Sequence, residues 1–143
     1  MTVKTILSVK GADVATIAPG ASIAAAATQL AARRIGALVV QGADDRVVGI
    51  ISERDIVFAL AERGAGVLDE PVSQIMTRKV VTCGLSETVA AVMERMTTGK
   101  FRHVPVIDGN RLVGIVSIGD VVKHRLGQIE GETAALRDYI LTA

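Results

Sequence analysis

The chain has 143 residues, half of them apolar, with 16 basic and 15 acidic side chains for a net charge of +1. The even charge and the presence of only three aromatic residues, Phe58, Phe101 and Tyr139, argue against nucleic acid as the main partner. The single cysteine, Cys83, excludes an internal disulfide, and no apolar run approaches the ~20 residues needed to span a bilayer. The first apolar stretch, in "MTVKTILSVKG", is too short for a signal peptide, so the expectation is a cytoplasmic protein without a membrane partner.

In chain order, a helix is expected around Val3–Val9, then a short strand in "VATI". Ile23, Ala26, Ala27, Leu30 and Ala31 follow at the spacing of one helical face. "ALVVQ" and "RVVGII" flank the loop "GADD" as a hairpin, and a helix runs from about Ser52 to Arg63. "GAGVLDEP" breaks the chain, and "VSQIMTR" reads as a short connecting helix. Val89, Val92, Met93 and Met96 then mark a second amphipathic helix, with Ser86 as its N-cap and the methionines as core filling. "HVPVI" and "RLVGIV" flank "DGN", a strong hairpin signal, with Pro105 where no ladder donor is required. The closing helix extends toward the C-terminus, interrupted near Gly127 and Gly131. Its outlying apolar residues, Leu126, Ile129, Leu136 and Ile140, have no partner inside the pattern and are expected to cover the N-terminal helix or another subunit.

These elements are one unit stated twice. Val14–Val40 recurs 66 residues later as Val80–Val106, and Arg46–Val57 recurs 65 residues later as Arg111–Val122. Seven of the twelve positions in that last stretch are identical, and three more exchange one aliphatic residue for another. The residue lost between the two stretches falls in a turn, where a duplication tolerates change. Each copy reads strand, helix, strand, strand, helix. The chain divides into an N-terminal helix (1–13), a first repeat (14–66), a connector (67–79), a second repeat (80–125) and a C-terminal helical extension (126–143).

The most alike segments are "GIISERDIV" and "GIVSIGDVV". A serine three residues before an acid, where a strand meets a helix, is a capping box: the serine caps, the acid reaches back, and no ligand is required. The same pair also suits a ribose, because a carboxylate offers two acceptor oxygens to two vicinal hydroxyls. A helix N-terminus beside it favours an anion. Ser52, Asp55, Ser117 and Asp120 are therefore candidates for both roles, which are compatible.

With their flanking helices, hairpins and the "VSQIMTR" connector, the paired "GIISERD" and "GIVSIGD" resemble the tandem cystathionine-β-synthase (CBS) domain, or Bateman module, in a stand-alone bacterial-type form. The resemblance covers about residues 14–125. It implies an α/β (α+β) fold of two β-α-β-β-α repeats packed by pseudo-two-fold symmetry, with extra terminal helices. It also implies an adenosine ligand in the cleft between repeats, a flat homodimer, and a non-catalytic regulatory role toward a protein acting in trans. By resemblance, Thr16–Ile17 and Thr82–Cys83 line the adenine slots, although the preferred reading of Cys83 itself is a space-filler where the other copy has Ile17. Arg102, His103, Val104 and Pro105 open the second hairpin where the first copy has Gly36 and Ala37. Arg102 and His103 would then serve phosphate in the second site, with Lys123 nearby, and Arg54 would do so in the first. On that expectation the second site is the better furnished. The cations favour AMP, ADP, ATP or NAD(H) over S-adenosylmethionine. Competing functions are a dimerising scaffold that no longer binds ligand and a small nucleotide-acting enzyme. Against an enzyme or a catalytic cofactor stand the absence of a Gly-x-Gly-x-x-Gly or phosphate-loop motif, of metal-ligand spacing, and of a nucleophile–base set.

Overall fold

A computed structural model describes residues 1–142; Ala143, the last residue of the expected extension, lies outside them. The chain forms a mixed α/β fold with one small sheet in each half. An N-terminal helix, Val3–Lys10 (α1), precedes the first half, which comprises Thr16–Ile17 (β1), Ile23–Arg33 (α2), Ala37–Gln41 (β2), Val47–Ser52 (β3) and Glu53–Arg63 (α3). The second half comprises Val89–Gly99 (α4), His103–Asp108 (β4), Arg111–Ser117 (β5) and Ile118–Thr142 (α5). In the first sheet β1 runs parallel to β2, and β2 antiparallel to β3. The second sheet is the antiparallel pair β4–β5. Among the described residues no helix is long and apolar enough to cross a membrane.

Small side chains decide the helix starts. The Ala25 N–H donates to Ser22 Oγ at 3.0 Å, and the apolar face of α2 buries Ile23, Ala26 and Leu30. In α4 the cap is Thr88, which accepts from the Ala91 N–H at 3.1 Å. Ser86 was the expected cap, but it lies two residues upstream in the turn, whereas Thr88 directly precedes the first buried residue, Val89. Both helices end on a left-handed residue, Arg34 (φ 53°) and Lys100 (φ 57°).

The second copy departs from its expected five elements at its first strand, which is reduced to a single bridge between Cys83 and Val106. Proline is the physical reason. In the first half the Val39 N–H donates to the Ala15 carbonyl at 3.1 Å. The counterpart of Val39 is Pro105, which has no N–H, so that rung of the parallel ladder cannot form. The remaining bonds, Cys83 N–H to the Pro105 carbonyl at 3.0 Å and Ile107 N–H to the Cys83 carbonyl at 2.9 Å, hold only the one residue.

The halves do not share one core. Ile23, Leu38, Val40 and Ile51 centre the first cluster, and Val92, Met96, Val104, Val106 and Val116 the second. The segments leading into each half are exchanged. α1 buries Val3, Ile6 and Leu7 in the second core, while Val72 and Met76 of the connector enter the first. The dockings match bond for bond. The Val3 N–H reaches the Glu87 carbonyl at 2.9 Å, and the Val72 N–H reaches the Ala21 carbonyl at 2.7 Å. Two glycines make room for them. A methyl at Gly49 would lie 2.7 Å from Met76 Sδ and 2.9 Å from the Thr77 carbonyl oxygen; one at Gly114 would lie 2.7 Å from Leu7 Cδ1.

The leads differ in conformation. α1 stays helical to Lys10, whereas "VSQIMTR" keeps only one tight turn, Val72–Gln74, in place of the expected helix. It then extends along β3, where Thr77 and Ile50 exchange both backbone bonds, at 2.8 and 3.0 Å. At the other end, α5 runs without a break through Gly127 and Gly131. Leu126, Ile129, Leu136 and Ile140 are exposed on it and do not cover α1.

Candidate functional site

Both Ser-x-x-Asp segments form complete capping boxes. The Ser52 N–H donates to Asp55 Oδ2 at 2.9 Å and the Asp55 N–H to Ser52 Oγ at 3.2 Å. The Ser117 N–H donates to Asp120 Oδ2 at 2.8 Å and the Asp120 N–H to Ser117 Oγ at 3.1 Å. Each acid thus spends Oδ2 on its helix. Among the described residues no hydrogen bond reaches Oδ1 of either.

Each helix start is tied to the opening of its hairpin. The Glu53 N–H donates to the Gly36 carbonyl at 3.0 Å, and the Ile118 N–H to the Arg102 carbonyl at 2.8 Å. The two openings meet between the halves, with His103 Cε1 3.6 Å from where a Gly36 side chain would begin. Beside them lies a cleft of about 420 Å³. Ser52, Arg54 and Asp55 of the first half line it with Arg102 and His103 of the second, and the connector contributes Thr77, Lys79, Val80 and Val81. Lys100 and Phe101 complete the lining on the side of α4. Four basic side chains, Arg54, Lys79, Lys100 and Arg102, stand against two acidic ones, Glu53 and Asp55. Among the described residues none of these cations is in an ion pair.

The counterpart of Asp55 has a different neighbour. Lys10 Nζ lies 2.5 Å from Asp120 Oδ2 and donates to the Ile115 carbonyl at 2.7 Å. Burial alone would raise the Asp120 carboxyl, but the hydrogen bonds from Lys10 and from the Ser117 N–H outweigh it and hold Asp120 below the usual aspartate range. Asp120, Lys123 and His124 also border a cavity of about 460 Å³ between α1 and α5.

His103 is held below the usual histidine value by burial and by Lys10 and Arg102, against the opposing pull of Asp120 and Glu53. It is neutral at pH 7. Burial raises the Cys83 thiol, with Arg95 opposing, which leaves a protonated, space-filling side chain.

The structure therefore gathers Gly36, Ser52, Arg54, Asp55, Arg102 and His103 around one cleft. Arg102 and His103 stand with Arg54 and Asp55, so the cations expected in separate sites line one cleft. Ala37, Val104 and Pro105 are buried in their strands; Ile17 and Cys83 are in the two cores, and Thr16 and Thr82 do not line the cleft. Sequence reasoning missed Lys10, Thr77, Lys79, Lys100 and Phe101. One signal was available: "VKTILSVK" and "VSQIMTRK" align with Val, Ile and Lys in common, pairing Lys10 with Lys79. Among the described residues no group of three or more His, Cys, Asp or Glu side chains is placed to hold a metal ion.

The model of the CBS domain family matches residues 3–62 and again 72–127. A CBS-domain protein from Agrobacterium tumefaciens, ATU1752, superposes with a TM-score of 0.84 at 52% identity, covering 87% of this chain and 92% of that one. PAE2072 from Pyrobaculum aerophilum, solved with AMP, gives 0.76 at 32% identity over 84% and 89%. The CBS pair of protein MJ0100, solved with 5′-methylthioadenosine and S-adenosylmethionine, gives 0.80 at 32% over 90% and 98%. The chain spans 66% of the length of a curated relative from Acidianus ambivalens and 23% of one from Arabidopsis thaliana. Two matches in tandem, with the exchanged leads and twin capping boxes, place this chain in the CBS domain family.

Proposed function

We propose that the chain is a regulatory module that binds one adenosine nucleotide, in the cleft at Asp55. The observation that carries this reading is the contrast between the two motif acids: Asp55 faces open space among four unpaired cations, while Asp120 is engaged by Lys10. Asp55 Oδ1 accepts from the ribose hydroxyls, and Oδ2 stays on the helix cap. Val80, Val81 and Phe101 offer apolar surface to the base. Arg54, Lys79, Lys100 and Arg102 suit a phosphate chain, Arg through its planar donor fork. S-adenosylmethionine has no phosphate and a net positive charge of its own, so AMP, ADP, ATP or NAD(H) is preferred over it. The cleft draws on both repeats and the connector, so occupancy favours one relative angle of the halves, which a protein acting in trans then reads.

Calorimetric titration with AMP, ADP, ATP, NAD, NADH and S-adenosylmethionine tests the reading. Expected are one site per chain for a phosphate-bearing ligand, loss of binding in Asp55→Asn, and retention in Asp120→Asn. The scaffold alternative has one observation in its favour, the completeness of both capping boxes without a ligand. It predicts no heat with any compound and equal stability loss in the two variants.

A further inference from the structure

The cavity of about 460 Å³ between α1 and α5 is not a second image of the cleft at Asp55. Of the residues that correspond through the repeat to that cleft's lining, only Lys10 and Asp120 border it. Its other walls include Met1, Ile6 and Val9 on one side, and Lys123, His124 and Gly127 of α5 on the other. Its size is that of a small-molecule site.

Four features of those walls have no use within the fold. His124 Nε2 is buried and has no hydrogen-bond partner among the described residues, a cost that a polar ligand group removes. Gly127 sits inside α5, where glycine weakens a helix relative to alanine. A methyl there would meet nothing within 4 Å, in contrast to Gly49 and Gly114, and its φ is not left-handed. Neither packing nor backbone geometry calls for this glycine, and it leaves bare helix backbone at the cavity wall. Met1 and Val9, exposed at 62% and 85%, offer apolar surface with no cover. Lys10 is spent on Asp120, whereas Lys123 is in no ion pair among the described residues, which leaves one ammonium uncompensated.

We propose that this cavity binds a small amphipathic monoanion, a carboxylate carrying an aliphatic body. The carboxylate lies at Lys123 and His124, and the body crosses Gly127 against Ile6 and Val9. Occupancy ties α1 to α5 and holds Lys10 at Asp120. The site stands apart from the nucleotide reading and survives its failure.

Octanoate is the probe and octylamine the cationic control of equal chain length, each titrated calorimetrically into the full chain. One octanoate per chain is expected, with a dissociation constant on the order of 1 mM, and octylamine about tenfold weaker or worse. Gly127→Leu fills the cavity from its α5 wall and should weaken octanoate about tenfold or more, with no loss of melting temperature. Lys123→Gln should weaken octanoate about threefold and leave octylamine no weaker. No octanoate binding, equal affinity for octylamine, or a Gly127→Leu chain that binds octanoate as wild type does overturns the site. Displacement of octanoate by ATP would put it in the cleft at Asp55 instead, and overturns the site as well.

Discussion

The two halves solve the same backbone problem with different parts. Ile50 and Ile115 hold matching places in β3 and β5. The Ile50 carbonyl is satisfied by the Thr77 N–H at 2.8 Å, the Ile115 carbonyl by Lys10 Nζ at 2.7 Å. The connector leaves its tight turn and bridges β3 only at Thr77, which leaves Lys79 lining an open cleft. α1 stays helical, which delivers Lys10 to Asp120. A strand carbonyl left without a ladder partner takes a donor in either case. The choice between a peptide N–H and an ammonium decides whether a cation is left over beside the motif acid. Near-identical motifs can therefore have different fates because of a segment outside them.

The largest test of that contrast is binding. Asp55→Ala is expected to cost on the order of 100-fold in nucleotide affinity, as for hydrogen bonds to a charged group, and Asp120→Ala less than about threefold, by titration calorimetry. Equal effects would erase the distinction between the halves.

Packing gives the next difference. Gly49→Ala meets a backbone carbonyl as well as Met76, and should destabilise by about 2–3 kcal/mol in urea unfolding. Gly114→Ala meets only the Leu7 side chain, at Cδ1, Cδ2 and Cγ, and no backbone atom, and should cost less, about 1–2 kcal/mol. The reverse order would mean that the connector, not α1, is the looser lead.

Lys10→Met sharpens the comparison further. The Lys10–Asp120 pair is partly exposed, so stability at pH 7 should change by less than about 1 kcal/mol. The pH profile carries more information. A depressed aspartate stabilises the fold above its unfolded value of 3.8, and that contribution is lost as pH falls through the lower folded value. Wild type should show this acid-side loss and Lys10→Met much less of it. The same variant frees Asp120, and a second equivalent of nucleotide at high concentration is the expected sign.

His103 should give the smallest effect. Its lowered value means that the neutral form is favoured in the fold; the resulting stability is present above pH 6.5 and is lost as pH falls through the folded value. A bound phosphate chain pulls the other way by favouring the imidazolium. ATP affinity should therefore rise modestly from pH 7.5 to 6.0, and the rise should vanish in His103→Gln.

Much of the fold was legible because its signals are local. The helical stripe from Ile23 to Leu30, the twin hairpins and the Ser-x-x-Asp caps each depend on residues a few places apart. The cap at Thr88 was masked by a second good cap residue, Ser86, two places away. The shortened second strand was readable in principle, since Pro105 removes a donor, but only once the Ala15–Val39 bond of the other half is known. The grouping of Arg102 with Asp55 was not legible, because the repeat assigns each residue to its own copy while the cleft forms between copies. Lys10 was missed because the alignment began at Val14, beyond the lead that carries it.

The exchange of leads has a consequence in time. α1 emerges before either half during synthesis, yet the surface that receives Val3, Ile6 and Leu7 is finished only when β5 ends at Ser117. At about 5–20 residues per second its apolar face waits roughly 5–25 s for a place to bury. The first half, whose connector follows it directly, can close without that delay. Ribosome-bound chains stalled before β5 should therefore carry a folded first half and an unsheltered N-terminal helix, the state in which this protein most needs a chaperone.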